Sequence, residues 1–157
     1  MSELTSIVRE LREIHDGNAW HGASLHDALR GLSAEQAAAR PIADAHSIWE
    51  IVHHIAGWEN VWLRRFAGDP DASEPEEGDF APVVEVSESA WQNTLLRLND
   101  IHARLLEAVG AMNEERLRSN LPGRDYTHRF LLRAAIRHHV YHTGQIALLR
   151  KAFPLEG

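Results

Sequence analysis

The sequence predicts an all-α protein, a four-helix bundle forming a single domain over 1–157. Three observations carry this prediction. Four long segments repeat apolar residues at the helical period. No segment alternates with any strength at the strand period. Capping residues, glycines and prolines mark where the segments start and stop.

The first segment, about 3–16, puts Leu4, Ile7, Val8, Leu11 and Ile14 on one face, and Gly17 ends it. A shorter piece at about 22–31 carries Leu25 and Leu29 and closes at Gly31. Ser33 and Gln36 then form a capping box for a short helix that Pro41 cuts off. The second long helix starts near Asp44 or Ser47, and Ser47 with Glu50 is again a capping box. Its stripe reads Ile48, Ile51, Val52, Ile55, Trp58, Trp62 and Phe66, and Gly68-Asp69-Pro70 terminates it. The acidic, proline-punctuated stretch 69–86 reads as a long solvated loop, with a lid over a site as its minority use. The third helix spans about 87–111, with Trp91, Leu95, Leu98, Ile101, Leu105, Leu106 and Val109 on its face. A loop containing Leu121-Pro122-Gly123 leads to the fourth helix, about 127–152, which stops before Pro154.

The long loop bears on topology. About 17 residues reach at most about 56 Å, whereas a 20-residue helix is about 30 Å long. The loop can therefore run the length of the bundle as a crossover and let helices two and three lie parallel.

Composition narrows the function. A chain of 157 residues with 44% apolar residues can bury a real core. No apolar run is long enough to span a bilayer, and the charged N-terminus lacks the apolar centre of a signal peptide, so a cytoplasmic location is expected. The net charge of −7 argues against nucleic acid and anionic membranes as partners. Cysteine is absent, which removes disulfides, thiolate metal sites and a cysteine nucleophile. Histidine occurs 11 times, which directs attention to metal binding and to pH response.

Random placement of 11 histidines in 157 positions gives about 0.7 pairs at any one spacing, so a pair needs context. His138 and His142 stand at i,i+4 in mid-helix, on the face of Leu131, Ala135 and Leu149, and can grip one metal ion. His139 with His142, at i,i+3, is a competing pair. In the second helix His54 lies at the edge of the apolar stripe, about 100° from its centre, while His53 and His46 turn towards water. His15 and His102 fall late in a helix or on a polar arc, and His21, His26 and His128 near helix starts or loops; all five read as surface or boundary residues. Trp49, Trp58, Trp62 and Trp91 read as packing residues, and Trp20 as a candidate pocket wall. Three imidazoles from two helices would leave coordination positions open, the pattern of a catalytic rather than a structural site. Zn²⁺ or Ni²⁺ suits such nitrogen donors.

These residues also carry a resemblance. Ser47-Ile-Trp-Glu-Ile-Val-His-His54-Ile-Ala-Gly-Trp58 resembles the second helix of the DinB/YfiT-like metalloenzyme superfamily. His138-His139-Val-Tyr-His142-Thr-Gly-Gln145-Ile resembles its fourth, and the likeness covers about 3–152. The resemblance implies an up-down-down-up bundle. It maps a metal triad onto His54, His138 and His142, choosing His138 over His139. It further implies a homodimer and, as in some members, a low-molecular-weight thiol cosubstrate.

The expected function is thus a divalent-metal enzyme, of thiol-transferase or hydrolase type, acting on a small molecule. The alternative is a non-catalytic metal-binding or dimerisation module with a stress-related role. No general base is assigned. Glu50 and Gln145 are candidates to support the ligands from behind.

Overall fold

The computed structural model describes residues 2–154, so residue 1 and residues 155–157 of the expected domain lie outside the described residues. Each helix begins on a side chain that caps it. Ser2 opens α1 (Glu3–Asp16), Ser24 opens α2 (Leu25–Leu29) and Ser33 opens α3 (Ala34–Ala38). Ser47 opens α4 (Ile48–Phe66) and Ser87 opens α5 (Glu88–Gly110). Asn113 opens α6 (Glu114–Arg118) and Thr127 opens α7 (His128–Arg150). In every case the side-chain oxygen accepts a backbone N–H that would otherwise lack a partner. Both expected capping boxes are present, Ser33 with Gln36 and Ser47 with Glu50.

The fold is all-helical among the described residues, apart from one isolated bridge between Asn120 and Thr127. Helix α6 lies in a stretch expected to be loop; Asn113 supplies its cap and Leu117 its single buried anchor.

The long helices pack in a fixed pattern. α4 lies against α5 and α7, and α1 lies against the same two helices. Between α4 and α5 the pairs are Trp49 with Trp91, ring centroids 5.0 Å apart, and Glu59 with His102. Between α4 and α7 they are His54 with His142 and Phe66 with His128. Between α1 and α5, Leu11 pairs with His102 and His15 with Asn99. Glu10 of α1 bonds Arg133 of α7, and His15 stacks near His139.

The core is in two parts. One cluster gathers Leu25, Leu29, Ile48, Trp49, Ile55, Trp91, Leu98 and Ile146. The other gathers Ile7, Leu11, Trp62, Phe66, Leu105, Val109 and Leu132. Within α4, α5 and α7 the buried residues Glu59, His102 and His139 fall between the two clusters in sequence. The tryptophans of the first cluster satisfy their polar edges as they pack. Trp91 Nε1 donates to the Leu32 carbonyl at 3.0 Å, and Trp49 Nε1 to Thr94 Oγ1 at 3.0 Å.

The 69–86 stretch is not a freely solvated loop. Arg65 of α4 donates to the carbonyls of Ala72 and Ser73, at 2.7 and 2.8 Å. His53 Nδ1 donates to the Ala81 carbonyl at 2.9 Å, which turns a residue expected to face water into a loop anchor. Pro75 packs on Gly57, where a Cβ would stand 3.0 Å from the proline ring, so a larger residue in this mid-helix position would push the loop back by a few tenths of an ångström.

Candidate metal centre

Helices α4 and α7 bring His54, His138 and His142 together. Ring centroids lie 4.9 Å apart for His54–His138, 4.4 Å for His54–His142 and 4.5 Å for His138–His142. One nitrogen of each ring falls within 4.8 Å of the others, so the group can hold a metal ion. The i,i+4 spacing places His138 and His142 one turn apart on α7, and the packing of α4 against α7 delivers His54.

The outer nitrogens are held from behind. His54 Nδ1 donates to the Asp79 carbonyl at 2.8 Å and lies 3.1 Å from Asp79 Oδ1. His142 Nδ1 donates to Gln145 Oε1 at 2.6 Å. Pinning Nδ1–H in this way turns the Nε2 lone pair inward, which is how proteins orient metal-binding imidazoles. His54 Nε2 and His138 Nε2 stand 2.9 Å apart, so one of the two donates an N–H to the other's lone pair unless a metal ion takes the place of that proton. The buried His138 Nδ1 has no partner.

The electrostatics favour neutral rings at His138 and His142. Burial, with His142 and His54 adding like-charge repulsion, holds His138 down at about 3. Burial also lowers His142, against the hydrogen bond it donates to Gln145. Neutral imidazole is the form that binds a metal.

The loop forms part of the site. Phe80 stacks on His54 with centroids 4.0 Å apart, and Trp58 Nε1 donates to Asp79 Oδ1 at 2.7 Å. The three histidines open onto a cavity of about 510 Å³ whose other walls include Trp58, Trp62, Leu131 and Tyr141. Asp79 and Phe80 were not anticipated as site residues; their roles depend on the path of the loop and leave no local signal.

Several other expectations change. Glu50 does not support the triad: its carboxylate bonds the Ser47 backbone N–H and pairs with Arg40. Gln145 does support it. Trp20 is fully exposed, at 101% of its reference area, and lines none of the cavities described here. His139 turns away from the triad. His15, His102 and His128 are buried rather than superficial. His128 Nδ1 donates to the Ser119 carbonyl at 3.0 Å. His15, His102 and His139 form a second group of imidazoles whose nitrogens can share an ion.

Comparison with protein families decides the relationship: the family model described as the DinB superfamily matches residues 19–146. The chain belongs to the DinB superfamily. No curated protein and no solved structure matches it. The match to the DinB superfamily covers α4, α5 and most of α7, and so all three histidines of the first group. No helix of this DinB-superfamily chain is long and apolar enough, among the described residues, to cross a membrane.

Proposed function

We propose that His54, His138 and His142 hold a divalent metal ion, zinc or nickel, in an enzyme that acts on a small molecule by thiol transfer or hydrolysis. The observation that carries this reading is the convergence of three imidazoles, two of them oriented by acceptors behind the ring, on the floor of an open cavity of about 510 Å³. When bound, such an ion supplies Lewis acidity and lowers the pKa of an oxygen or sulfur donor. The protein's own groups do the rest. Asp79 and Gln145 fix the ring orientations. Phe80 shields one face of His54 from water. Trp58, Trp62, Leu131 and Tyr141 offer apolar wall to the organic part of a substrate. Asp79 is the carboxylate at the cavity rim, and its Oδ1 is held by Trp58. Because the chain has no cysteine, a reacting thiol would come from a small-molecule cosubstrate.

The same reading takes residues 1–157 as one domain with up-down-down-up topology. Order along the pairs supports it. From Trp49–Trp91 to Glu59–His102, residue numbers rise together in α4 and α5, the sense of a parallel pair joined by a crossover. From His54–His142 to Phe66–His128 they run oppositely in α4 and α7. A homodimer would use the exposed apolar stripe Phe130, Tyr141 and Leu148 of α7, and light scattering reads it directly.

Metal analysis of protein purified without an affinity tag, followed by Zn²⁺ titration, tests the centre. His54→Ala, His138→Ala and His142→Ala should each lower the stoichiometry by one equivalent. Unchanged stoichiometry and affinity in all three variants would sink the assignment. A catalytic ion in a preformed bundle should leave on chelation with little change in melting temperature.

A further inference from the structure

We infer that His15, His102, His139 and Glu59 form a second, closed metal site, built to hold Zn²⁺ or a similar ion in the middle of the helical core. The four residues come from α1, α5, α7 and α4, one from each long helix. All are buried, with 8% of His15 and 2% of each of the others exposed. His15 and His102 stack with centroids 3.8 Å apart, and His139 lies 5.7 and 5.6 Å from them. Glu59 Oε1 is 2.8 Å from His102 Nδ1 and 4.0 Å from His139 Nε2.

Two features point to a cation rather than to an ordinary buried network. First, the outward nitrogens are already pinned. His102 Nε2 donates to the Leu11 carbonyl at 3.1 Å, and His15 Nε2 donates to Asn99 Oδ1 at 3.0 Å. Each ring is thereby left with an Nδ1 lone pair on its other side, the arrangement that carbonyl and amide acceptors impose on metal-binding histidines. His102 Nδ1 then faces a carboxylate oxygen at hydrogen-bond distance, and two lone pairs need either a proton or a metal ion between them. Second, four further polar atoms here lack any partner: His15 Nδ1, Glu59 Oε2, and both ring nitrogens of His139. Orphaned atoms of this kind cost about 1–3 kcal/mol each, and four in one place are not sustained by packing alone.

With Glu59 as a fourth donor and the stacked His15 and His102 rings turned apart, three nitrogens and one oxygen would make up a tetrahedral zinc shell, which distinguishes this site from the open three-histidine centre. The imidazole donors lie within 4.8 Å of one another; a zinc shell draws them to about 3.3 Å, from its bond lengths. Access is provided by a cavity of about 610 Å³, whose wall includes His15 and Asn99.

The test measures Zn²⁺ binding to a His54→Ala/His138→Ala/His142→Ala variant, which leaves the buried group intact. The expected result is one equivalent of tightly bound Zn²⁺ and a melting temperature that rises markedly with zinc, as for a site that ties four helices. In the same background Asn99→Leu, which removes only the support of His15, should weaken binding by about 10–100-fold. X-ray absorption should report four light ligands. If the triple variant fails to fold, the wild-type chain and His54→Ala decide: two equivalents in wild type, or one that survives His54→Ala, support the site, and a single equivalent lost in His54→Ala opposes it. A folded triple variant that binds no Zn²⁺ overturns it, and a proton then holds the His102–Glu59 pair.

Discussion

Acidification of the metal-stripped protein should destabilise it through His15 in particular. Burial, reinforced by like-charge repulsion from His102, holds this imidazole down at about 3, against an ordinary value of 6.5. The folded chain therefore binds a proton at His15 less readily than the unfolded chain. Between the two values the unfolded state carries the extra proton, so stability rises with pH there. The contribution is fully present above about pH 6.5 and is lost as the pH falls towards 3. Each pH unit inside that window removes about 1.4 kcal/mol, so the drop from pH 7 to pH 5 comes to about 2 kcal/mol. That figure depends little on how low the folded value lies, because by pH 5 the unfolded imidazole is already charged and the folded one is not. The assay is urea unfolding followed by circular dichroism at pH 7, 6 and 5, with chelator present, for wild type and His15→Gln. Wild type should lose about 2 kcal/mol more than the variant over this range. Equal losses in the two proteins would refute the reasoning, since every other histidine is common to both.

Other perturbations read different parts of the molecule. Trp91→Phe strands the Leu32 carbonyl and leaves a void in the first core cluster, and should lower stability in urea by about 2–4 kcal/mol. Gln145→Leu frees His142 Nδ1 and should weaken Zn²⁺ binding at the open centre by about 10–100-fold in calorimetry, with little change in melting temperature of the metal-free chain. Gly57→Ala sets a methyl 3.0 Å from Pro75. The helix gains about 1 kcal/mol in propensity, so global stability should change little while amides of 69–86 exchange faster with deuterium.

What was legible in the sequence was local. Ser33-Gln36 and Ser47-Glu50 place helix starts through contacts three residues apart, and both boxes form. The pairing of His138 with His142 and the edge position of His54 follow from helical geometry, which holds within any one helix. The stretch 69–86 was legible as a long connection, but its contacts with Arg65, His53 and His54 are tertiary and have no sequence period. His15 and His102 read as surface or boundary residues because histidine counts as polar, and Glu59 carries no motif of its own. His15 stands four residues after Leu11, His102 four after Leu98, His139 four after Ala135 and Glu59 four after Ile55. Each therefore sits squarely on an apolar face. A polar residue at a core position on every long helix was the available signal.

His53, His54, His102 and His128 all donate to main-chain carbonyls, those of Ala81, Asp79, Leu11 and Ser119. A peptide oxygen is present whatever side chain the residue carries. Alanine scanning across 69–86 would therefore leave the hydrogen bonds to His53 and His54 in place and register only the side-chain roles of residues such as Asp79 and Phe80. Removing or inserting a single residue would slide both carbonyls out of register with α4 at once. The segment is thus constrained in its length and path more than in its composition, and its tolerance should be mapped by indels rather than by substitutions.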